Sequence, residues 1–118
     1  MSKTALVIGA RGFIGSSLTP VLIERGFQIA CIEPIANDLG RLTPWAENIE
    51  LIKGSIENTD AITRIVSHVQ PDVIVNLAFA RGLNIASELD VMARGTWNVL
   101  EAAVAVNCQR VVLASSVR

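Results

Sequence analysis

Hydrophobic positions along this chain fall into two alternating kinds of segment. Short, nearly continuous apolar runs rich in β-branched residues occupy Thr4–Ile8, Gln28–Ile32, Ile49–Lys53, Asp72–Asn76 and Arg110–Ala114. Runs of this length and character predict strands covered on both faces, the condition of a parallel sheet. Between them, Phe13–Arg25, Thr59–Val69 and Ile85 to about Asn107 carry helical spacing. The punctuation agrees: Gly26 sits where the first helix should end in a left-handed cap, Asn58-Thr59-Asp60 offers an N-cap, and Pro71 stops the second helix before Asp72. Pro20, well inside the first helix, removes the bond to the Ser16 carbonyl and predicts a bend. The stretch Pro34–Glu47 lacks a strong pattern, although a short helix around Asn37–Leu42 fits it. Strand–helix alternation with short connections implies right-handed crossovers.

Composition narrows the class. The chain has 118 residues, the size of one domain, with 51% hydrophobic and 18% charged residues. That is greasier than an average soluble domain, as a sheet buried on both faces requires, or a surface that other chain covers. Net charge is -1 and no block of like charge occurs. A nucleic-acid or acidic-membrane partner, which needs a concentrated basic surface, is therefore not expected. Cys31 and Cys108 lie far apart in apolar surroundings and read as reduced structural thiols of a reducing compartment. Met1-Ser2-Lys3-Thr4 enters the first strand without room for a secretory signal, and no apolar run approaches the roughly 18 residues of a membrane span. The expectation is a soluble cytoplasmic protein.

Candidate chemistry concentrates after the first strand. Gly9-Ala10-Arg11-Gly12-Phe13-Ile14-Gly15 follows Ala5-Leu6-Val7-Ile8 directly and opens the first helix. Spaced glycines at a strand-to-helix turn are a fingerprint for a dinucleotide pyrophosphate: Gly9 for the tight bend, Gly12 for close backbone approach, Gly15 for helix–sheet packing. Backbone N–H groups around Phe13 and Ile14 then face the phosphates, where the helix dipole also favours negative charge. Glu33 closes the second strand 18 residues after Gly15, near the spacing of about 20 at which a carboxylate meets the adenosine ribose hydroxyls. A carboxylate there favours NAD over NADP. Arg11, inside the loop, and Arg41 are the residues that could instead reach a 2′-phosphate. Ser16 and Ser17 follow the loop without a lysine, which excludes a nucleoside-triphosphate P-loop. His68 is the single histidine and reads as a surface residue; with two distant cysteines, no metal site is legible.

Four ordered motifs carry a resemblance. They are Gly9–Gly15, Pro71-Asp72-Val73-Ile74-Val75-Asn76-Leu77-Ala78, Gly95-Thr96-Trp97-Asn98-Val99-Leu100-Glu101-Ala102-Ala103, and Arg110-Val111-Val112-Leu113-Ala114-Ser115-Ser116. In that order the chain resembles the extended short-chain dehydrogenase/reductase family, the NAD-dependent epimerases and dehydratases of nucleotide sugars, over the amino-terminal part of such an enzyme. The expected fold is α/β: a Rossmann-like, doubly wound parallel sheet of five strands in the order 3-2-1-4-5, with helices on both faces. The cofactor crevice would lie outside the carboxyl ends of strands one and four.

The resemblance implies further roles. Leu77, Ala78 and Phe79 would line the cofactor beside its phosphates and nicotinamide ribose, with Arg81 close by, and Ser55 and Ile56 would flank the adenine. Ser116 matches the family's catalytic serine, which works with a tyrosine and with a lysine four residues beyond it; this sequence contains no tyrosine. Residues 1–118 are thus expected to form an NAD(P)-binding domain without the Tyr-x-x-x-Lys segment and the substrate lobe. Two departures stand out: Gly54-Ser55 replaces the usual Gly-Asp, and Met92 replaces an active-site asparagine. Trp97 lies on the helix that in this family joins a four-helix bundle between two subunits, so a homodimer through that helix is one expectation; packing within the chain is the other. A small-molecule substrate is expected only for a longer chain. The alternative to an enzyme part is a non-catalytic NAD(P)-binding module, a cofactor sensor or docking domain.

Overall fold

The computed structural model describes residues 3–78 and 84–115. In chain order the elements are β1 (Lys3–Ile8), α1 (Phe13–Glu24), β2 (Phe27–Glu33), a 3₁₀ segment (Gly40–Asn48), β3 (Ile49–Lys53), α2 (Thr59–Val69), β4 (Val73–Asn76), α3 (Ile85–Ala105) and β5 (Arg110–Leu113). The strands form one parallel sheet in the order β3-β2-β1-β4-β5, as expected from the sequence. β1 is its central strand, pairing Ile8 with Ile32 on one side and with Asn76 on the other.

Alternation along β1 divides the core between the two faces of the sheet. Leu6 and Ile8 join Ile32, Ile62, Val66, Ile74 and Val99 in a cluster under α2 and α3. Ala5 and Val7 join Ile29, Cys31 and Leu42 in a second cluster, with Leu22 and Trp45 packed against it. A strand whose consecutive side chains are all buried, with Ala5, Leu6 and Val7 at 0% exposure, requires cover on both faces, which explains the unbroken apolar run.

Local signals explain where the helices stop. Gly26 is left-handed (φ +92°), and its N–H reaches the Ile23 carbonyl at 3.0 Å. Gln70, left-handed without being glycine, turns the chain into Pro71 at the end of α2. Asn107 does the same after α3, and the Cys108 N–H returns to the Ala103 carbonyl at 2.9 Å. α3 therefore ends at Ala105, two residues short of the expected limit, because Asn107 forms the left-handed closing turn. α1 continues through Pro20 to Glu24, while the buried Thr19 hydroxyl donates to the Gly15 carbonyl at 2.7 Å. The helix expected at Asn37–Leu42 is corrected: the turn is 3₁₀ and starts at Gly40, after Asp38 Oδ1 has accepted the Gly40 N–H at 2.8 Å.

Candidate cofactor site

All five strands run parallel, so their carboxyl ends lie along one edge of the sheet, and the glycine turn sits at the middle of it. Gly9 continues from β1 with φ +83°, and a Cβ there would stand 3.1 Å from the Leu77 carbonyl carbon and oxygen. The segment after β4 is thus the floor of the turn. Leu77 N–H donates to the Ile8 carbonyl at 2.8 Å, and the buried Asn76 side chain folds back to accept the Ala78 N–H at 3.1 Å. Asn76, at the end of β4, thus positions Ala78, a role that its place in the Pro71–Ala78 motif does not reveal.

The three glycines of the turn differ in what constrains them. A Cβ on Gly15 would lie 2.5 Å from the Gly9 carbonyl oxygen and 2.6 Å from Ala10 Cα, so α1 begins in direct contact with the turn's backbone. A Cβ on Gly12 would meet only the Gly9 carbonyl oxygen, at 3.3 Å, among the described residues. Protein packing thus forbids a side chain at Gly15 outright, whereas at Gly12 it sets one backbone oxygen in the way and leaves room for a ligand's phosphate to approach the backbone.

Helix capping points the same way. Asn58 caps α2 by accepting the Ala61 N–H, and Asn84 caps α3 by accepting the Ser87 N–H. Gly12 caps α1 with no side chain. The N–H groups of Phe13, Ile14 and Gly15 precede the first helical bond, Ser16 N–H to the Gly12 carbonyl at 2.9 Å. A helix start whose donors are left for an outside acceptor, with the positive end of the dipole behind them, suits an anion. Phe13 and Ile14 are 84% and 59% exposed.

Glu33 forms the second wall. Its Oε1 accepts the Arg11 backbone N–H at 2.9 Å, which holds the carboxylate beside the glycine turn. The Arg11 guanidinium turns away from Glu33, donating through Nη1 to the Ile35 carbonyl at 2.9 Å and placing Nη2 3.6 Å from Asp38 Oδ1. Arg11, Glu33, Pro34, Ile35, Gly40 and Arg41 line a shallow, open cleft of about 440 Å³. Asp38 and the Ile35 carbonyl were not singled out from the sequence; they emerge because the loop between β2 and the 3₁₀ segment lies beside Arg11. Cys31, beneath this wall, is fully buried; burial, with the Glu33 charge adding to it, pushes its thiol up to about 12. It is therefore a protonated core residue at neutral pH.

The remaining sequence candidates are distributed as follows. Ser55 is half-buried beyond β3, and its carbonyl accepts the Asn58 N–H at 3.1 Å. The Ile56 side chain is buried in the core under α3, where a Cβ on Gly95 would run into it, so what Ile56 presents at the carboxyl edge is backbone. Its carbonyl accepts the Asn98 side-chain amide at 2.9 Å, and Asn98 also receives the Thr59 hydroxyl. Met92 is half-buried on α3. Trp97 is 64% exposed, which excludes its burial within the described residues. Phe79, Arg81 and Ser116 lie outside the described residues. No group of His, Cys, Asp and Glu among the described residues is arranged to hold a metal ion, and no helix among them is long and apolar enough to cross a membrane.

Comparison with known proteins gives a consistent family. The family model described as the NAD dependent epimerase/dehydratase family matches residues 5–118. The chain is 33% identical to Protein CapI of Staphylococcus aureus, over 94% of this chain and 37% of that protein. It is 25% identical to the UDP-glucose 4-epimerase of Pisum sativum, over 98% of this chain and 37% of that enzyme. Among solved structures, the Bordetella bronchiseptica enzyme WbmH, in complex with NAD+, superposes with a TM-score of 0.79 at 26% identity, over 94% of this chain and 38% of that one. The chain thus spans little more than a third of the length of these relatives.

Proposed function

Since the chain belongs to the NAD dependent epimerase/dehydratase family, we propose that it is the NAD-binding part of an epimerase or dehydratase acting on a nucleotide sugar. The observation that carries this reading is the uncapped start of α1, set against Glu33 held by the Arg11 N–H. The relatives support the cofactor and the substrate class: one is named a UDP-glucose 4-epimerase, and one structure contains NAD+. When bound, NAD supplies a hydride acceptor at its nicotinamide ring. The Phe13 and Ile14 N–H groups bind the pyrophosphate, and Gly12 admits its close approach. The free carboxylate oxygen of Glu33 accepts from the adenosine ribose hydroxyls and repels a 2′-phosphate. Leu77 and Ala78 support the phosphate side of the cofactor, joined by Phe79 and Arg81, while Ser55 and the Ile56 backbone flank the adenine. Ser116 binds the substrate oxygen in the longer enzyme.

Titration with NAD+, followed by calorimetry, tests this function. Saturable one-to-one binding that weakens about tenfold or more in Glu33→Ala is expected, the loss of a hydrogen-bonding charged group being worth about 1.5–3 kcal/mol. A chain that folds and binds no NAD+ refutes the proposal.

The exposed face of α3 supports a homodimer. Leu89, Trp97, Leu100 and Val104, at 63%, 64%, 38% and 78% exposure, recur at helical spacing and form an apolar stripe. Sedimentation of the wild type against Trp97→Ser tests it: the wild type should associate and the variant should shift toward monomer.

A further inference from the structure

Arg11 presents a contradiction in the cleft. It is a cation at the mouth of the adenosine ribose wall, where it would attract a 2′-phosphate, yet it stands next to Glu33, which would repel one. Its surroundings resolve this. The guanidinium is committed at one end to the Ile35 carbonyl at 2.9 Å and faces Asp38 Oδ1 at 3.6 Å at the other. Asp38 is itself fixed, because the same Oδ1 accepts the Gly40 N–H at 2.8 Å, and Gly40 is left-handed (φ +54°) to make that turn. Arg41 follows directly and lines the same cleft.

We infer that Asp38 is a specificity-determining residue, which keeps Arg11 occupied and so prevents it from serving a 2′-phosphate. Glu33 provides direct repulsion; Asp38 withdraws the cation that would offset it. The inference rests on the NAD-binding reading above. Asp38 acts through its charge on Arg11, so a neutral side chain of the same shape at position 38 leaves the fold of the turn in place and releases the guanidinium from that ion pair.

The test measures dissociation constants of NAD+ and NADP+ for the wild type, Asp38→Asn, Asp38→Ala and the double variant Asp38→Asn/Arg11→Gln, at low salt, with thermal unfolding as a control for folding. Releasing the Arg11 guanidinium for a charge-assisted hydrogen bond to a 2′-phosphate should shift the NADP+/NAD+ affinity ratio toward NADP+ by about tenfold or more. The shift should appear in both single variants, fade as salt is raised, and vanish in the double variant. An unchanged ratio in folded Asp38→Asn and Asp38→Ala overturns the inference while leaving NAD binding standing. Persistence of the shift in the double variant overturns the role of Arg11. A folded wild type that binds neither dinucleotide overturns the function reading, and this one with it.

Discussion

Substituting alanine separately at Gly15 and Gly12 should separate the fold from the ligand site within one turn. At Gly15 the new Cβ would stand 2.5, 2.6 and 2.7 Å from the Gly9 carbonyl oxygen, Ala10 Cα and the Ala10 carbonyl oxygen. Carbon contacts settle near about 3.5 Å, so α1 must retreat from the turn by about 1 Å. All three obstacles are backbone atoms, so no side-chain rotation relieves them. Overpacking of this kind costs about 1–3 kcal/mol, and the backbone clash places Gly15→Ala at the top of that range. The lower entropy of the unfolded alanine chain returns about 0.4–1 kcal/mol, leaving about 2–3. For a domain of this size that is a fall of about 10 °C in Tm. Gly12, with φ −71° and ψ 179°, has a backbone that any residue adopts, and its Cβ would meet a single oxygen at 3.3 Å. Gly12→Ala should therefore melt within about 5 °C of the wild type, the poorer N-capping by alanine costing about 1 kcal/mol. Yet it should lose NAD+ affinity about tenfold or more, because the methyl group blocks a charge-assisted hydrogen bond. Differential scanning fluorimetry and calorimetric titration read the two effects. If Gly15→Ala melts within about 2 °C of the wild type, or Gly12→Ala falls as far as Gly15→Ala, the reasoning is refuted.

Two further expectations concern the core. Cys31 has a folded-state pKa of about 12 against an ordinary value of 9.0, so the unfolded chain loses the proton first. Its contribution to stability is complete below pH 9 and declines as pH rises from 9 toward 12. Urea unfolding at pH 8, 9 and 10 should show the wild type losing stability more steeply than Cys31→Ala, and parallel slopes would refute this. Asn98→Ala leaves the Ile56 carbonyl and the Thr59 hydroxyl without their shared partner. It should cost about 2 kcal/mol by chemical denaturation, and a loss below about 0.5 kcal/mol would show that water replaces the side chain.

The sheet was legible because every strand was marked by a local signal. Ile49–Lys53 and Thr59–Val69 match the sequence boundaries residue for residue, and the other strands and α-helices differ by at most two residues at either end. Phe27 joins β2 only because Lys3 of β1 offers it a partner, which the chain itself does not announce. The segment before β3 was misread for a similar reason. Leu42 is completely buried by the face formed from Ala5, Val7 and Cys31, so tertiary packing decides where that turn tightens. In the candidate site, the glycine spacing and Glu33 were readable because each answers a local geometric demand. The Arg11–Asp38 pair was not, since two residues on different loops meet only once β1 and β2 have paired and brought those loops together.

The floor beneath Gly9 also has a bearing on the order in which the molecule assembles. The glycine motif is contiguous in sequence, but Leu77 and Ala78 shape its turn, and they follow a strand that reaches β1 through contacts such as the Thr4 N–H donating to Asp72 Oδ2, 68 residues apart. A nascent or partly denatured chain that has formed β1, α1 and β2 therefore carries every glycine of the fingerprint without a rigid phosphate cradle. Closing so long a loop is a late, entropically opposed event. Dinucleotide affinity then accompanies the docking of β4, and a ligand that favours the docked state slows its fraying. Amide exchange protection at Leu77 and Ala78 should rise with cofactor in step with that at Gly12.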